Sequence, residues 1–191
     1  MSDKNPYNVR LNNVTLTYPS VYQKSVYEGQ ETKYQTGIIL KKNDENYKAL
    51  KEKYEAICQE AIADKKLTRA QLTPWIRPLG GTKGIVVDCA QDPDKYQGPR
   101  FENAVILTAK NEYKPYVVNR ILEPIEESEN EVYGGCVCNA SVTLYIYHKV
   151  YKGIGVQLNG IQKVKDGEPF GAARLAVEDM FEEIDEATMY D

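Results

Sequence analysis

Two tyrosines one residue apart, Tyr145 and Tyr147, are followed at once by His148, Lys149 and Lys152. Rings offer flat faces for stacking, and ammonium groups beside them attract negative charge. The pair shares one face if the chain is extended there, because successive side chains of a strand point to opposite sides. The stretch that must position them runs from Gly134 to Phe170. Read alternately, Cys136, Cys138, Ala140, Val142, Leu144 and Ile146 form an apolar face, and Val137, Asn139, Ser141, Thr143, Tyr145 and Tyr147 form the other. Such alternation predicts a half-buried strand. After a turn near Tyr151 to Gly153, Ile154, Val156 and Leu158 predict a second strand, whose opposite face Gly153 and Gly155 leave bare. One side builds a core. The other presents rings, hydroxyls and positive charge beside a glycine-smoothed surface, a platform for a ligand with flat rings and a negative backbone.

Signals for catalysis are weaker. His148 is the single histidine, and no pair of histidines or CxxC spacing offers a zinc site. Asp88, Asp92 and Asp94 have the chemistry to hold a divalent metal, as have the glutamates near Glu126, but acidic loops are commonly just solvated. Gly80 to Gly84 (GGTKG) lacks the spacing of a phosphate-binding P-loop and reads as a tight turn. Tyrosine usage is different: fifteen tyrosines stand against three Phe and one Trp, and Tyr22, Tyr34, Tyr96, Tyr113, Tyr147 and Tyr151 lie beside or near a Lys or Arg. Rings interleaved with bases favour nucleic acid, since every nucleobase has a face to stack and lysines release counterions from phosphates.

A chain of 191 residues, 42% hydrophobic and 27% charged, suits one soluble domain. No apolar run approaches the roughly 18 residues of a membrane span. MSDKNPYNVR lacks the apolar region of a secretory signal, and the four cysteines read as reduced thiols, so a cytosolic setting is expected. The net charge of −4 conceals an asymmetry. Seven acids and no base follow Val177, which leaves residues 1–177 with 21 acids against all 24 bases, about +3.

The remaining elements follow from pattern. Val9, Leu11, Val14 and Leu16 predict a first strand with a bulge at Asn12 and Asn13, ended by Pro19. A ring-rich loop over 18–34 precedes a strand from Thr36 to Leu40. Asp44 can cap a helix near Asn46 to Ala63, whose apolar stripe is Tyr47, Leu50, Tyr54, Ile57, Cys58, Ala61 and Ile62. Thr68 and Gln71 have capping-box spacing for a short helix. Ile85 to Cys89, Phe101 to Lys110 and Tyr116 to Val118 read as strands, and Pro124 marks an edge or bulge.

Three runs carry a resemblance: FENAVILTAKNEYKPYVVNR (101–120), VYGGCVCNASVTLYIY (132–147) and GIGVQLNGIQKVKDGEPF (153–170). With the opening YQTGIILKKNDENYKALKEKYEAI, their order and spacing over nearly the whole chain resemble a phage single-stranded DNA-binding protein family. That family, formerly a domain of unknown function, is similar in plan to phage replication proteins with an acidic C-terminal tail. The resemblance implies an OB-fold, a small Greek-key barrel that binds oligonucleotides across one face. It also implies binding without catalysis, in replication or recombination of phage DNA.

The expected architecture is therefore mainly β with an inserted helix (α+β): a five-stranded OB-type barrel over residues 1–177 and a disordered acidic tail over 178–191. The expected activity is sequence-independent binding of single-stranded DNA in the host bacterial cytoplasm, with no catalytic residue, cofactor or metal. Stacking falls to Tyr145 and Tyr147 by parity, and to Tyr22, Tyr34, Tyr113, Tyr116 and Trp75 by proximity to charge. Phosphate contacts fall to Lys33, Lys110, Lys114, Arg120, Lys149 and Lys152. In the tail, Glu178, Asp179, Phe181, Glu182, Glu183, Asp185, Glu186, Tyr190 and Asp191 mix acid with apolar groups, as an arm for phage or host replication and recombination proteins would. Homodimerisation stays open. Two rivals remain: an interaction module that mimics DNA to inhibit a host protein, and a metal-dependent nuclease using Asp88, Asp92 and Asp94.

Overall fold

A computed structural model describes residues 4–171. Among these residues, nine strands and one α-helix occur in the order β1 (Asn8–Ser20), β2 (Val26–Tyr27), β3 (Gln30–Glu31), β4 (Tyr34–Lys41), α1 (Glu45–Ala63), β5 (Val86–Asp88), β6 (Ala104–Asn111), β7 (Tyr116–Val118), β8 (Val137–His148) and β9 (Lys152–Lys165). Strand β1 lies antiparallel between β4 and β8; β4 pairs with β6, and β8 with β9. A parallel contact of Lys110 with Gln157 joins β6 to β9 and closes the circuit. The result is a five-stranded barrel in the order β1-β4-β6-β9-β8, an OB-fold, with β5 and β7 added at its sides.

The barrel interior takes one parity of each strand. Leu11, Leu16, Ile38, Leu40, Leu107, Leu144 and Leu158 are essentially fully buried there. Each such side chain contributes about 1.5–3 kcal/mol relative to exposure. Helix α1 packs on β1, β4 and β8 through Leu50, Ile57 and Ala61. It begins where Asp44 Oδ1 accepts the Tyr47 N–H at 2.9 Å. The expected bulge is present: the β1–β8 register shifts between Leu11 and Val14, and Asn13 is left-handed at φ 52°. Pro19, expected to end β1, does not. The strand resumes after a second register shift, with Ser20 paired to Gln35 and Tyr18 at φ 42° absorbing the irregularity. The short helix at Thr68 is one 3-10 turn, Arg69–Gln71, in which Gln71 Oε1 accepts the Thr68 N–H. Phe101, expected in a strand, instead ends the 3-10 turn Pro99–Phe101, and β6 starts at Ala104. Pro124 forms an isolated bridge with Val118 beside β7, at the sheet edge.

After β9 the chain runs beside residues 133–135, where the Gly167 N–H donates to Tyr133 Oη and the Phe170 N–H to the Gly134 carbonyl. Lys163, only 6% exposed, is held by the carboxylates of Glu131 (3.0 Å) and Asp166 (2.8 Å). These partners raise its pKa above the ordinary lysine value despite the opposing cost of burial, and Lys163 in turn holds Asp166 below the usual carboxylate range. Gly135, at φ 112°, lets the strap at Glu168 and Pro169 approach the backbone more closely than any Cβ would permit. All four cysteines are free thiols. No helix among the described residues is long and apolar enough to cross a membrane. The acidic segment 178–191 lies outside the described residues.

Candidate nucleic-acid interface

The end of the β8–β9 hairpin carries the two tyrosines. Tyr145 pairs across the ladder with Gly155, and Tyr147 with Gly153. Each ring lies over its partner glycine. A Cβ on Gly155 would stand 2.6 Å from Tyr145 Oη and closer still to Cζ; one on Gly153 would stand 2.6 Å from Thr73 Oγ1 and closer still to Tyr147 Oη. Cross-strand rings rescue glycines in this way, and the ring orientation is fixed in return. The two centroids are 6.1 Å apart with planes inclined at 51°. Thr73 supports the hairpin from below by accepting the Ile154 N–H at 2.9 Å.

These rings line a cleft of about 870 Å³ bounded by the hairpin tip, by Thr108 and Lys110 of β6, and by the loop at Thr82 to Gly84. Lys33, Lys83, Lys110 and Lys149 stand in its wall, and among the described residues no carboxylate does. Lys33 is partly balanced from outside by Glu112 at 3.3 Å. A concave wall with one sign of charge focuses its field on an anionic ligand. Tyr145 is 40% exposed, so its ring is accessible from solvent.

Of the rings expected to stack, only Tyr145 and Tyr147 stand in this cleft. Trp75 requires a correction: at 9% exposure it is core, its Nε1–H donating to Tyr47 Oη at 3.0 Å and its indole packed against Tyr47 and Tyr54. Tyr22 is also corrected. Its ring packs on the core, its hydroxyl donates to the Ile125 carbonyl at 3.0 Å, and burial beside Glu129, Glu126 and Glu127 pushes its pKa up to about 12. Tyr34 is half-buried at the start of β4, with Lys24 Nζ 6.0 Å from its ring centroid. Tyr113 and Tyr116 are exposed but line no part of the cleft.

Among the cations, Lys33, Lys110 and Lys149 line the cleft. Lys152 begins β9, exposed, beyond the lining. Lys114 sits over the Tyr22 ring at 5.5 Å, and Arg120 borders a separate pocket with Glu123, Glu129 and Glu131. Lys83 and Tyr151 complete the cleft and are missing from the sequence-based set. Lys83 was hidden in a glycine-rich loop that reads as a turn. Tyr151 stood beside Lys152 like the other candidate tyrosines, but in the turn it had no strand parity to place it.

The acidic triad of the nuclease rival does not converge on one point. Asp88 is tied to Lys42 at 2.7 Å and accepts the Ala90 N–H, and Asp92 accepts the Lys95 N–H. No cluster of three metal-ligating side chains occurs among the described residues.

If the glycine–ring pairing sets the ring position, Gly155→Ala must push Tyr145 aside. Affinity for oligo(dT) is expected to fall by about 1–3 kcal/mol, the worth of one stacked base. A fluorescence-anisotropy titration checks this, and unchanged affinity would show that the ring position is immaterial.

Comparison with known proteins bears on the same chain. Residues 7–190 match the family described as Enterobacter phage Enc34, ssDNA-binding protein. Protein p50 of Acyrthosiphon pisum secondary endosymbiont phage 1 is 24% identical over 178 residues, spanning 92% of this chain and 93% of its own. Among solved structures, the chain is similar to the single-stranded DNA-binding protein from bacteriophage Enc34 in complex with ssDNA. That similarity has a TM-score of 0.61 at 24% identity, over 86% of this chain and 90% of that one. It is also similar to gp2.5, a single-stranded DNA-binding protein encoded by bacteriophage T7, with a TM-score of 0.53 at 11% identity, over 92% of this chain and 99% of that one. At these identities the structures establish a shared fold, and the family match extends across the barrel and beyond it. The chain belongs to the Enterobacter phage Enc34 ssDNA-binding protein family.

Proposed function

We propose that the protein binds single-stranded DNA without sequence preference, protects it, and delivers it to replication or recombination proteins of phage or host in the bacterial cytoplasm. One observation carries the reading: two rings fixed over glycines stand in a cleft whose wall, among the described residues, holds four lysines and no carboxylate. Bases stack on Tyr145 and Tyr147, and phosphates meet Lys33, Lys83, Lys110 and Lys149. Stacking uses the face that all bases share, so no sequence is read. The family membership supports the same ligand.

Salt dependence tests the electrostatic half. With four phosphates neutralised, log K against log[salt] is expected to slope at about −3, from roughly −0.7 per phosphate on a single strand. A flat response would remove the cationic cleft from the account, and strong preference for one sequence would favour a specific regulator.

In this reading the chain divides into a binding domain, 1–177, and an acidic arm, 178–191. Seven acids make the arm a poor ligand for DNA, whereas Phe181, Ile184, Met189 and Tyr190 give it apolar anchors for a partner protein. Truncation after Val177 is expected to abolish capture of replication partners. It should also tighten DNA binding at low salt, with the gain shrinking as the Debye length falls from about 30 Å at 0.01 M to about 8 Å at 0.15 M. A truncated chain with no affinity for oligonucleotides would instead return the protein to the class of interaction modules.

A further inference from the structure

A second cavity, about 270 Å³, adjoins the first across β6: Thr108 lines both. It lies on the outward side of β4 and β6, since Ile38 and Leu107 belong to the barrel core while Ile39 and Ile106 form a separate cluster. A row of rings borders it. Tyr18 and Phe170 are nearly parallel, at 25° with centroids 6.1 Å apart; Phe170 meets Phe101 at 5.9 Å, and Phe101 meets Tyr96 at 5.4 Å. Two cations rest on this row. Arg100 sits 4.3 Å from the Phe170 centroid while also pairing with Glu168 at 3.1 Å, and Lys95 sits 5.2 Å from the Tyr96 centroid. Gln35 adds a polar group to the lining, and Gly37 keeps it low, since a Cβ there would collide with Thr17 Oγ1.

The β1–β4 register shift accounts for the backbone of Tyr18 but not for the direction of its ring. The residue is 80% exposed and held at φ 42°, left-handed backbone that a bulky side chain adopts only under strain. Strain that burying a side chain would offset is ordinary in a core. Here it presents a ring to solvent, and strained positions of that kind cluster at ligand sites.

We propose that this row is a second base-stacking subsite for the same single strand. The free face of Tyr18 takes a base, Phe170 backs the Tyr18 ring, and Lys95 meets an adjacent phosphate. A strand leaving the Tyr145–Tyr147 cleft crosses β6 at Thr108 to reach it. The inference rests on the single-stranded DNA reading of that cleft and extends the bound length beyond it.

Tyr18→Gly separates a binding role from a structural one, because glycine accepts φ 42° without strain. The variant is expected to melt no lower than the wild-type chain. Its affinity for an oligo(dT) of about 16 nucleotides, the upper end of site sizes for one such barrel, should nevertheless fall. The expected loss is roughly 5- to 140-fold, one stacked base at tenfold per 1.4 kcal/mol. Tyr18→Phe keeps the ring and should bind as the wild type does. Wild-type affinity in Tyr18→Gly, with Tyr145→Ala weakened, would overturn the second subsite and leave the cleft standing. Loss of both affinity and melting temperature in Tyr18→Gly would also overturn it, by making Tyr18 structural. No binding of oligo(dT) by the wild-type chain would overturn the cleft reading and this inference together.

Discussion

Replacing Tyr145 and Tyr147 together by alanine is expected to weaken binding of oligo(dT) by about 2–6 kcal/mol, from about 1–3 kcal/mol for each base left without a ring. The two losses need not add, because the rings are near neighbours, with centroids 6.1 Å apart. Some stability goes as well, since each ring covers a glycine across the ladder; cross-strand pairs are worth about 0.2–1 kcal/mol. That cost is small beside the loss of binding, and the phenylalanine double variant, which keeps both stacking faces, should restore affinity. Anisotropy titration alongside thermal melting reads both quantities. Equal losses of melting temperature and affinity in the alanine and phenylalanine variants would place the tyrosines in the fold and not in the interface.

Leu144 is the counterpart on the opposite face of the same strand. Only 1% of it is exposed, and its neighbours on β8 of the same parity, Cys138, Ala140 and Val142, are buried with it. Leu144→Ala removes methyl groups from a closed barrel whose ladder restrains collapse, so a cost of about 2–5 kcal/mol in stability is expected. In a chain of this size that is about 4–20 °C in melting temperature, at roughly 2–4 °C per kcal/mol. Below the transition the affinity for DNA should stay near that of the unchanged protein, because Tyr145 and Tyr147 keep their ladder partners. Melting unchanged while DNA affinity drops would reverse the assignment of the two faces.

The contrast between those variants shows how far the sequence reaches. Alternation along 136–147 was legible because a strand with one buried face must sort side chains by parity, and the inside and outside of β8 follow it. The bulge at Asn13 was legible because the apolar parity of β1 changes there, and the helix start was legible because Asp44 is a good capping residue. Long-range closure was not. The parallel contact between Lys110 and Gln157 leaves no local mark in either segment. Proximity of a ring to a lysine along the chain likewise says nothing of burial, which is why Trp75 and Tyr22 read as candidates and proved to be packed side chains. Tyr18 before Pro19 looked like a strand end. Instead the chain spends a left-handed residue there and continues the strand, a choice made by pairing with β4 and not by local preference.

Photocrosslinking tests the central claim most directly. Irradiating the protein bound to oligo(dT), followed by digestion and mass spectrometry of the adducts, identifies the residues against which bases lie. Adducts on Tyr145 and Tyr147 are expected, diminishing as salt rises and absent from the buried Trp75. Adducts found only on rings outside the cleft, such as Tyr113 and Tyr116, with none on the β8 pair, would contradict the assignment of the cleft as the seat of single-stranded DNA.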